Sequence, residues 1–134
     1  MMNLLKYLTL LAVIFAASTA VPAQTRDGEW LSGSWEGTGY QISTDSTWTM
    51  RLSASEKKYI IEYPSLKCSG LWRLVSLDAD KATFIEKITN GIDKCTDDGN
   101  VVIERLSTNQ IAFRYSPANS IEVEASSILR RKRL

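Results

Sequence analysis

Apolar and polar residues alternate in eight short runs from residue 34 onward. Such alternation is typical of strands with one face in a core and the other in water. The breaks between runs are rich in Asp, Asn, Ser, Gly and Pro, as turns require, and no segment has sustained helical periodicity. We therefore predict an all-β domain, a small antiparallel up-and-down barrel of eight strands, since closing a sheet removes its exposed edges. The predicted strands cover about residues 34–42, 47–53, 59–63, 71–77, 81–89, 101–106, 110–115 and 122–129.

The N-terminal residues 1–23 have the pattern of a cleavable signal peptide. Lys6 is their only charged residue, an apolar run covers 8–17, and Val21-Pro22-Ala23 fits a small-x-small cleavage site. We expect a periplasmic or extracellular protein that is not transmembrane after cleavage, because the apolar run is too short to span a bilayer comfortably. The predicted organisation is a signal peptide at 1–23, an N-terminal segment at 24–33, the barrel at 34–130 and a basic tail at 131–134.

The composition excludes several kinds of chemistry. The chain has no His, which removes the Ser-His-Asp and Cys-His nucleophiles and the His-based zinc sites. The positive charges concentrate in the last residues, so the body is mildly acidic and lacks the basic face of a nucleic-acid binder. We therefore predict a protein that is not an enzyme, with no cofactor, no metal and no nucleic-acid partner. The concentrated positive charges are Arg130, Arg131, Lys132 and Arg133.

The two cysteines, Cys68 and Cys95, are expected in an oxidising compartment if the chain is exported. A disulfide forms there where the geometry allows it. If they pair, the chain-entropy relation gives about 3.6 kcal/mol of stabilisation for a loop of this length. A domain of this size has a marginal core and would gain from that cross-link.

The side chains that the alternation turns inward are mostly large and apolar. In the middle strands they are Trp48, Met50, Leu52, Tyr59, Ile61, Tyr63, Val101, Ile103, Arg105, Ile111, Phe113 and Tyr115. The last strand adds Ile121, Val123, Ala125, Ser127 and Leu129. Small residues at some inward positions allow either tight closure of the barrel or a modest cavity, and glycine within a strand favours closure. The small residues are Gly37, Gly39, Ala125 and Ser127.

Two registers are open for the predicted strands at 71–77 and 81–89. The favoured one sets Arg73 opposite Glu86 and turns Leu71, Val75, Leu77, Phe84 and Ile88 inward. It leaves Trp72, Leu74 and Ile85 as an outer apolar strip. The other register is slipped by one residue and pairs Trp72 with Glu86 and Leu74 with Phe84.

Five residues are candidates for binding a ligand: Trp48, Tyr59, Trp72, Arg73 and Glu86. If Arg73 and Glu86 both point inward they must satisfy each other, because an unpaired buried charge is costly. They would form either a polar anchor for a ligand or a salt bridge at the barrel mouth, unless one of them points to solvent. The aromatic residues form either a ligand box or ordinary core.

The segment 90–100 carries Asp93, Asp97 and Asp98, with glycines for turning. Oxygen-rich loops of this kind can hold Ca²⁺, but the spacing does not match the EF-hand loop. We predict a solvated loop that is tied down by Cys95 and binds no metal.

Gly33-Ser34-Trp35, at the start of the first strand, resembles the Gly-x-Trp opening of lipocalin-like barrels. The resemblance implies that Trp35 plugs the closed end of the barrel. It also implies that an Arg at the end of the last strand, here Arg130, packs over the ring through a cation–π contact. The chain is shorter than lipocalins and lacks their C-terminal helix, so it looks more like avidins and periplasmic metalloprotease inhibitors.

A second likeness covers most of the domain. Tyr63-Pro64-Ser65-Leu66-x-Cys68-x-Gly70-x-Trp72, followed by Glu86-x-Ile88-x-x-Gly91-x-x-x-Cys95-x-Asp97-x-Gly99, resembles a small extracytoplasmic module. That module lies at the C-terminal end of some bacterial serine/threonine kinases and also occurs as stand-alone secreted proteins. The resemblance implies a Cys68–Cys95 bridge, and it implies no known ligand.

Two functions are compatible with these patterns. The preferred one is a non-catalytic extracytoplasmic binding module for a small or envelope-derived ligand, held in the barrel or at its mouth. The alternative is a protein-directed inhibitor of a periplasmic or secreted enzyme, acting through the segment 24–31 or the strip of Trp72, Leu74 and Ile85. A hydrolase built only on carboxylates would need two convergent acidic groups, which the sequence does not place.

Overall fold

A closed antiparallel barrel of eight strands, in chain order, makes up the body of the protein. The structure is a computed structural model that describes residues 16–18 and 28–133. Most of the predicted signal peptide, and residues 24–27, therefore lie outside the described residues. The strands are β1 (Gly33–Gln41), β2 (Ser46–Ser55), β3 (Lys58–Tyr63), β4 (Cys68–Leu77), β5 (Lys81–Asn90), β6 (Asn100–Ser107), β7 (Gln110–Ser116) and β8 (Ala125–Arg131).

Helical structure is limited to two short 3₁₀ turns in the described part of the chain, at Glu29–Leu31 and Pro64–Leu66. None of these is long and apolar enough to cross a membrane. Cys68 and Cys95 form a disulfide. The prediction of an all-β, eight-stranded barrel with one disulfide is confirmed.

The alternation of β2 and β3 explains why these segments pair as they do. Every second residue of β2 from Trp48 to Ala54 is buried, and β3 buries Tyr59, Ile61 and Tyr63 in the same way. Leu52 lies opposite Ile61 in the ladder. A strand with one buried face has its register fixed, because a slip by one residue would expose every apolar side chain.

The favoured register of β4 with β5 is wrong, and the slipped register is the one found. Trp72 lies opposite Glu86, and Arg73 lies opposite Ile85. The slip turns the large ring of Trp72 into the barrel and places the Arg73 guanidinium in water, which avoids a buried cation. Leu71 and Val75, predicted inward, are consequently exposed on the outer face.

Irregularities in the β4–β5 ladder allow this register. The pairing shifts after Ser69 and again after Leu74. At Gly70 the two backbones approach so closely that a Cβ atom would lie 2.0 Å from the Lys87 carbonyl oxygen. The predicted outer strip is not formed, because Trp72 is buried while Leu74 and Ile85 are half-buried.

Two predictions about inward side chains fail where strands are irregular. Arg105 is exposed although it pairs with Ile111 as expected, and the register of β6 with β7 shifts directly after it. Ile121 and Val123 are also exposed, with Ile121 at 97% of its full accessibility. They precede β8, which begins only at Ala125, so strand alternation does not apply to them.

One end of the barrel is closed by Trp35 and the turn before it. The Trp35 indole N–H donates to the Leu31 carbonyl at 2.9 Å, and both side chains are buried. The cation over the Trp35 ring is Arg131, at 4.2 Å from the ring centroid. The assignment of this role to Arg130 is therefore wrong. Leu129 points inward and Arg130 outward, so β8 has to extend one residue further, into the segment predicted as the basic tail, to reach the ring.

Aromatic side chains fill the middle of the barrel. Trp72 stacks on Phe113 with 5.7 Å between ring centroids, and it also contacts Phe84. Tyr59 also packs against Phe84, with 4.8 Å between the ring centroids. Because these rings occupy the centre, space for a ligand has to lie nearer one end.

Candidate functional site

A cavity of about 130 Å³ opens at the end of the barrel opposite Trp35. We call this the loop end, since the connections at 42–45, 64–67, 91–99 and 117–124 meet there. The buried side chains of the cavity wall are mostly aromatic: Trp48, Tyr63, Glu86, Phe113, Tyr115 and Ala125. The more exposed part of the wall comes from the ends of strands and the loops: Gln41, Leu66, Lys94, Cys95, Thr96, Pro117 and Glu124.

Two glycines make room for two of the cavity aromatics. Gly39 is the cross-strand partner of Trp48, and a Cβ atom there would lie 2.3 Å from the indole ring. A Cβ atom at Gly99 would lie 2.0 Å from the Tyr115 ring. An aromatic ring lying over a strand glycine covers backbone that would otherwise be bare. Glycine at these positions therefore sets where the cavity walls stand.

Glu86 is a buried carboxyl group in the cavity wall, with 3% of its surface exposed. Its Oε2 atom accepts hydrogen bonds from the Trp72 indole N–H at 2.9 Å and from the Tyr63 hydroxyl, and Oε1 accepts from neither. The backbone at this position is also held, since Glu86 N–H donates to the Gly99 carbonyl and Asp98 N–H donates to the Glu86 carbonyl. Strand β5 and the loop 91–99 together fix its position.

Burial governs the protonation of this cluster. Desolvation raises the pKa of Glu86, the two hydrogen bonds partly oppose this rise, and the nearby charge of Asp97 adds to it. Burial, and then the charge of Glu86, raises the pKa of Tyr63 well above its usual range. Burial and the surrounding carboxylates raise the pKa of Tyr115 to about 12. Both phenols therefore keep their protons at neutral pH.

The raised pKa of Glu86 predicts a specific pH dependence of stability. A group that binds its proton more tightly in the folded state stabilises the fold most below its ordinary pKa of 4.5. This contribution is lost as the pH rises through the folded-state pKa. We expect the free energy of unfolding of the native chain, minus that of Glu86→Gln, to fall as the pH rises from below 4.5.

Urea unfolding over a pH series measures that difference. Glu122→Gln makes the same chemical change at an exposed position and controls for net charge. A difference that stays constant with pH, or that increases, would show that ionised Glu86 is not disfavoured by the fold.

Two buried polar atoms, in residues that line the cavity, lack hydrogen-bond partners within the described residues. They are Trp48 Nε1 and Tyr115 Oη. The other indoles of the chain are satisfied, since Trp30, Trp35 and Trp72 donate to Asp78, Leu31 and Glu86 respectively. An unpaired buried polar group costs about 1–3 kcal/mol. Such groups in native proteins normally have a water or a ligand as partner.

The five predicted ligand-binding residues are not brought together. Trp48 and Glu86 line the cavity. Trp72 donates a hydrogen bond to Glu86 but does not line the cavity. Tyr59 packs in the core on Phe84, and Arg73 is exposed on the outer face. The predicted Arg73–Glu86 pair does not form, because the slipped register separates the two side chains.

Sequence reasoning did not assign Tyr63, Phe113 or Tyr115 to the site. All three follow from the alternation as inward residues, but inward position alone does not distinguish core from cavity. The strand topology would have identified them, because the C-terminal ends of β3, β5 and β7 lie at the same end of an up-and-down barrel. Tyr63 is the last residue of β3, and Tyr115 lies next to the last residue of β7. Glu86 lies further from the end of β5, but the loop that follows β5 bonds to its backbone.

The loop 91–99 is attached to the barrel through several contacts. Asp97 accepts from the Ile88 N–H at 2.8 Å, and Asp98 forms an ion pair with Lys87. Cys95 ties the loop to Cys68 at the start of β4. The acidic residues of this segment therefore hold the loop against β5, and the loop in turn supplies one wall of the cavity.

Comparisons of the chain with protein-family models, with curated proteins and with solved structures found no match. The likeness to lipocalin-like barrels and to the kinase-associated module therefore stays a prediction. Since one fold hosts many functions, the function has to be argued from the residues of the cavity.

Proposed function

We propose that this protein is a non-catalytic, extracytoplasmic binding module that holds a small ligand in the cavity at the loop end. The supporting observation is that Trp48 Nε1 and Tyr115 Oη, both buried and unpaired within the described residues, belong to side chains that line the same cavity as Glu86. A ligand that bonds these atoms would remove their desolvation cost. Convergent polar groups in a mainly aromatic pocket are typical of small-molecule sites.

The size of the cavity limits the ligand. Its volume of about 130 Å³ is close to that of an engineered cavity of about 150 Å³ that binds benzene. Sites for drug-sized molecules are larger, roughly 300–1,000 Å³. The ligand is therefore a small molecule, or a small group on an envelope component that enters through the loop end.

The disulfide supports the extracytoplasmic part of the proposal. Bridges of this kind persist in oxidising compartments and are rare in the cytosol. Cys68–Cys95 is compatible with export, as the pattern of residues 1–23 predicts. The sequence motif around these cysteines is the basis for proposing a relationship to the kinase-associated extracytoplasmic module.

The inhibitor hypothesis has less support. Gly28–Leu31 would have to be free to enter a partner's cleft, but Leu31 is fully buried and the Trp30 indole N–H donates to the Asp78 carbonyl. The second surface of this hypothesis, the outer strip of Trp72, Leu74 and Ile85, is not formed, since Trp72 is buried. Residues 24–27 lie outside the described part of the chain.

A screen of small polar molecules by thermal shift tests the proposal. We expect at least one compound to raise Tm, and its affinity to fall about three- to tenfold in Tyr115→Phe, because one hydrogen bond to the ligand is lost. Tyr59→Phe removes the same hydroxyl from a tyrosine outside the cavity and should bind as the native chain does. Equal losses in both variants, or no binder in a broad screen, would contradict the proposal.

A further inference from the structure

The charged side chains that line the loop-end cavity are mostly acidic. They are Glu86, Glu124 and a single basic residue, Lys94, which is exposed on the loop 91–99. The Ser43 backbone N–H donates to Glu124 Oε1 at 3.0 Å, and hydrogen bonds from Ser43 hold the pKa of Glu124 below its usual value. Glu124 is therefore ionised at neutral pH. With Glu86 ionised, the two carboxylates outnumber the one ammonium group, and the field inside the cavity favours a positively charged guest.

Glu86 has no basic partner among the described residues. The ion pairs within the described part of the chain join Lys87 to Asp98 and Arg114 to Glu104. Glu86 is held instead by two neutral donors, and both of them bond to Oε2. An ionised carboxylate that is buried without a counter-charge is costly. A cation inside the cavity would supply that counter-charge to the oxygen that neither donor reaches.

The aromatic walls favour the same kind of guest. The Trp48 ring stands at 88° to the Tyr63 ring, with 5.3 Å between centroids, and at 87° to the Phe113 ring. All three of these aromatic residues line the cavity. Aromatic boxes attract ammonium groups through the negative faces of their π systems, and tryptophan is the strongest of the contributors.

We infer that the ligand is a small organic cation, an ammonium compound that also carries an oxygen acceptor. The ammonium group lies beside Glu86 and among the aromatic rings. The oxygen is required because the Trp48 indole N–H is a donor only and cannot face a cation. Tyr115 Oη can donate to that oxygen as well. This inference rests on the proposed function and narrows it to amino alcohols, betaines and similar compounds.

Matched ligands test the charge directly on the exported chain. Choline is compared with its uncharged isostere, in which carbon replaces the quaternary nitrogen, and glycine betaine is compared with its own carbon isostere. We expect the ammonium member of at least one pair to bind at least tenfold more tightly than its isostere in calorimetric titration. In NMR spectra of isotope-labelled protein, the indole N–H signal of Trp48 should shift while that of Trp30, at the other end of the barrel, stays in place.

The outcomes separate this inference from the function on which it rests. Equal or tighter binding of the carbon isosteres would overturn the cation and leave a binding cavity for neutral ligands. Absence of binding by both ammonium compounds would also overturn it, and the thermal-shift screen would then decide the proposed function independently.

A pair of variants adds a second readout. Glu86→Gln should lose the preference for choline over its isostere, whereas Glu122→Gln, which removes a charge outside the cavity, should retain it. Retention of the full preference in a folded Glu86→Gln protein would contradict the inference. If that variant does not fold, the comparison of ligands on the native chain still decides.

Discussion

Cys68→Ser lowers the free energy of unfolding by about 3.6 kcal/mol, by the chain-entropy relation for a loop with a sequence separation of 27. The loss arises because the unfolded chain regains the freedom that the bridge removes. Urea unfolding under non-reducing conditions measures it. Cys95→Ser should show the same loss, and the double variant should show no further loss, because both changes remove one bond.

An unchanged unfolding midpoint in Cys68→Ser would show that the bridge does not stabilise the fold. The bridge also bears on the site, since Cys95 lies in the cavity wall between Lys94 and Thr96. We therefore expect ligand affinity to fall along with stability in this variant.

Arg131→Ala lowers the free energy of unfolding by about 3 kcal/mol. The Arg131 guanidinium lies 4.2 Å from the Trp35 ring centroid and donates to the carbonyls of Thr108 at 3.1 Å, Trp30 at 3.0 Å and Ser32. One side chain therefore joins β8, the β6–β7 turn and the N-terminal 3₁₀ turn at the closed end. Removing it leaves several carbonyls without their donor.

Arg130→Ala is the matched control for this prediction, because it removes the same side chain from the neighbouring, exposed position. Surface substitutions usually change stability by less than about 0.5 kcal/mol. Thermal and urea unfolding of the two variants gives the comparison. Equal effects of the two substitutions would show that the Arg131–Trp35 contact does not hold the closed end together.

The strands could be predicted from the sequence because burial of one face leaves a period of two in the pattern. The alternation around Leu52 and Ile61 is clear, since their neighbours along the strands are polar or exposed. The alternation of apolar and polar residues could not decide the register of β4 with β5. Apolar residues occupy both faces of β4, and the close approach at Gly70 that permits the slip depends on the partner backbone. The sequence likewise did not show that β8 continues to Arg131, and this one further residue is why Arg131 rather than Arg130 lies over the Trp35 ring.

The candidate site could be predicted only in part. Glu86 and Trp48 stood out because a carboxyl and an indole occupied inward positions. Their neighbours Tyr63 and Tyr115 come from other strands, and only closure of the barrel brings them beside Glu86. The space itself depends on Gly39 and Gly99, whose missing side chains let the rings lie where they do.

A high-resolution crystal structure of residues 24–134, grown with the tightest binder from the ligand comparison, tests the central claim most directly. We predict ligand density inside the loop-end cavity, with an acceptor atom within hydrogen-bond distance of Trp48 Nε1 and a polar atom equally close to Tyr115 Oη. A cavity filled by the protein's own side chains, with both atoms bonded to them, would contradict the account.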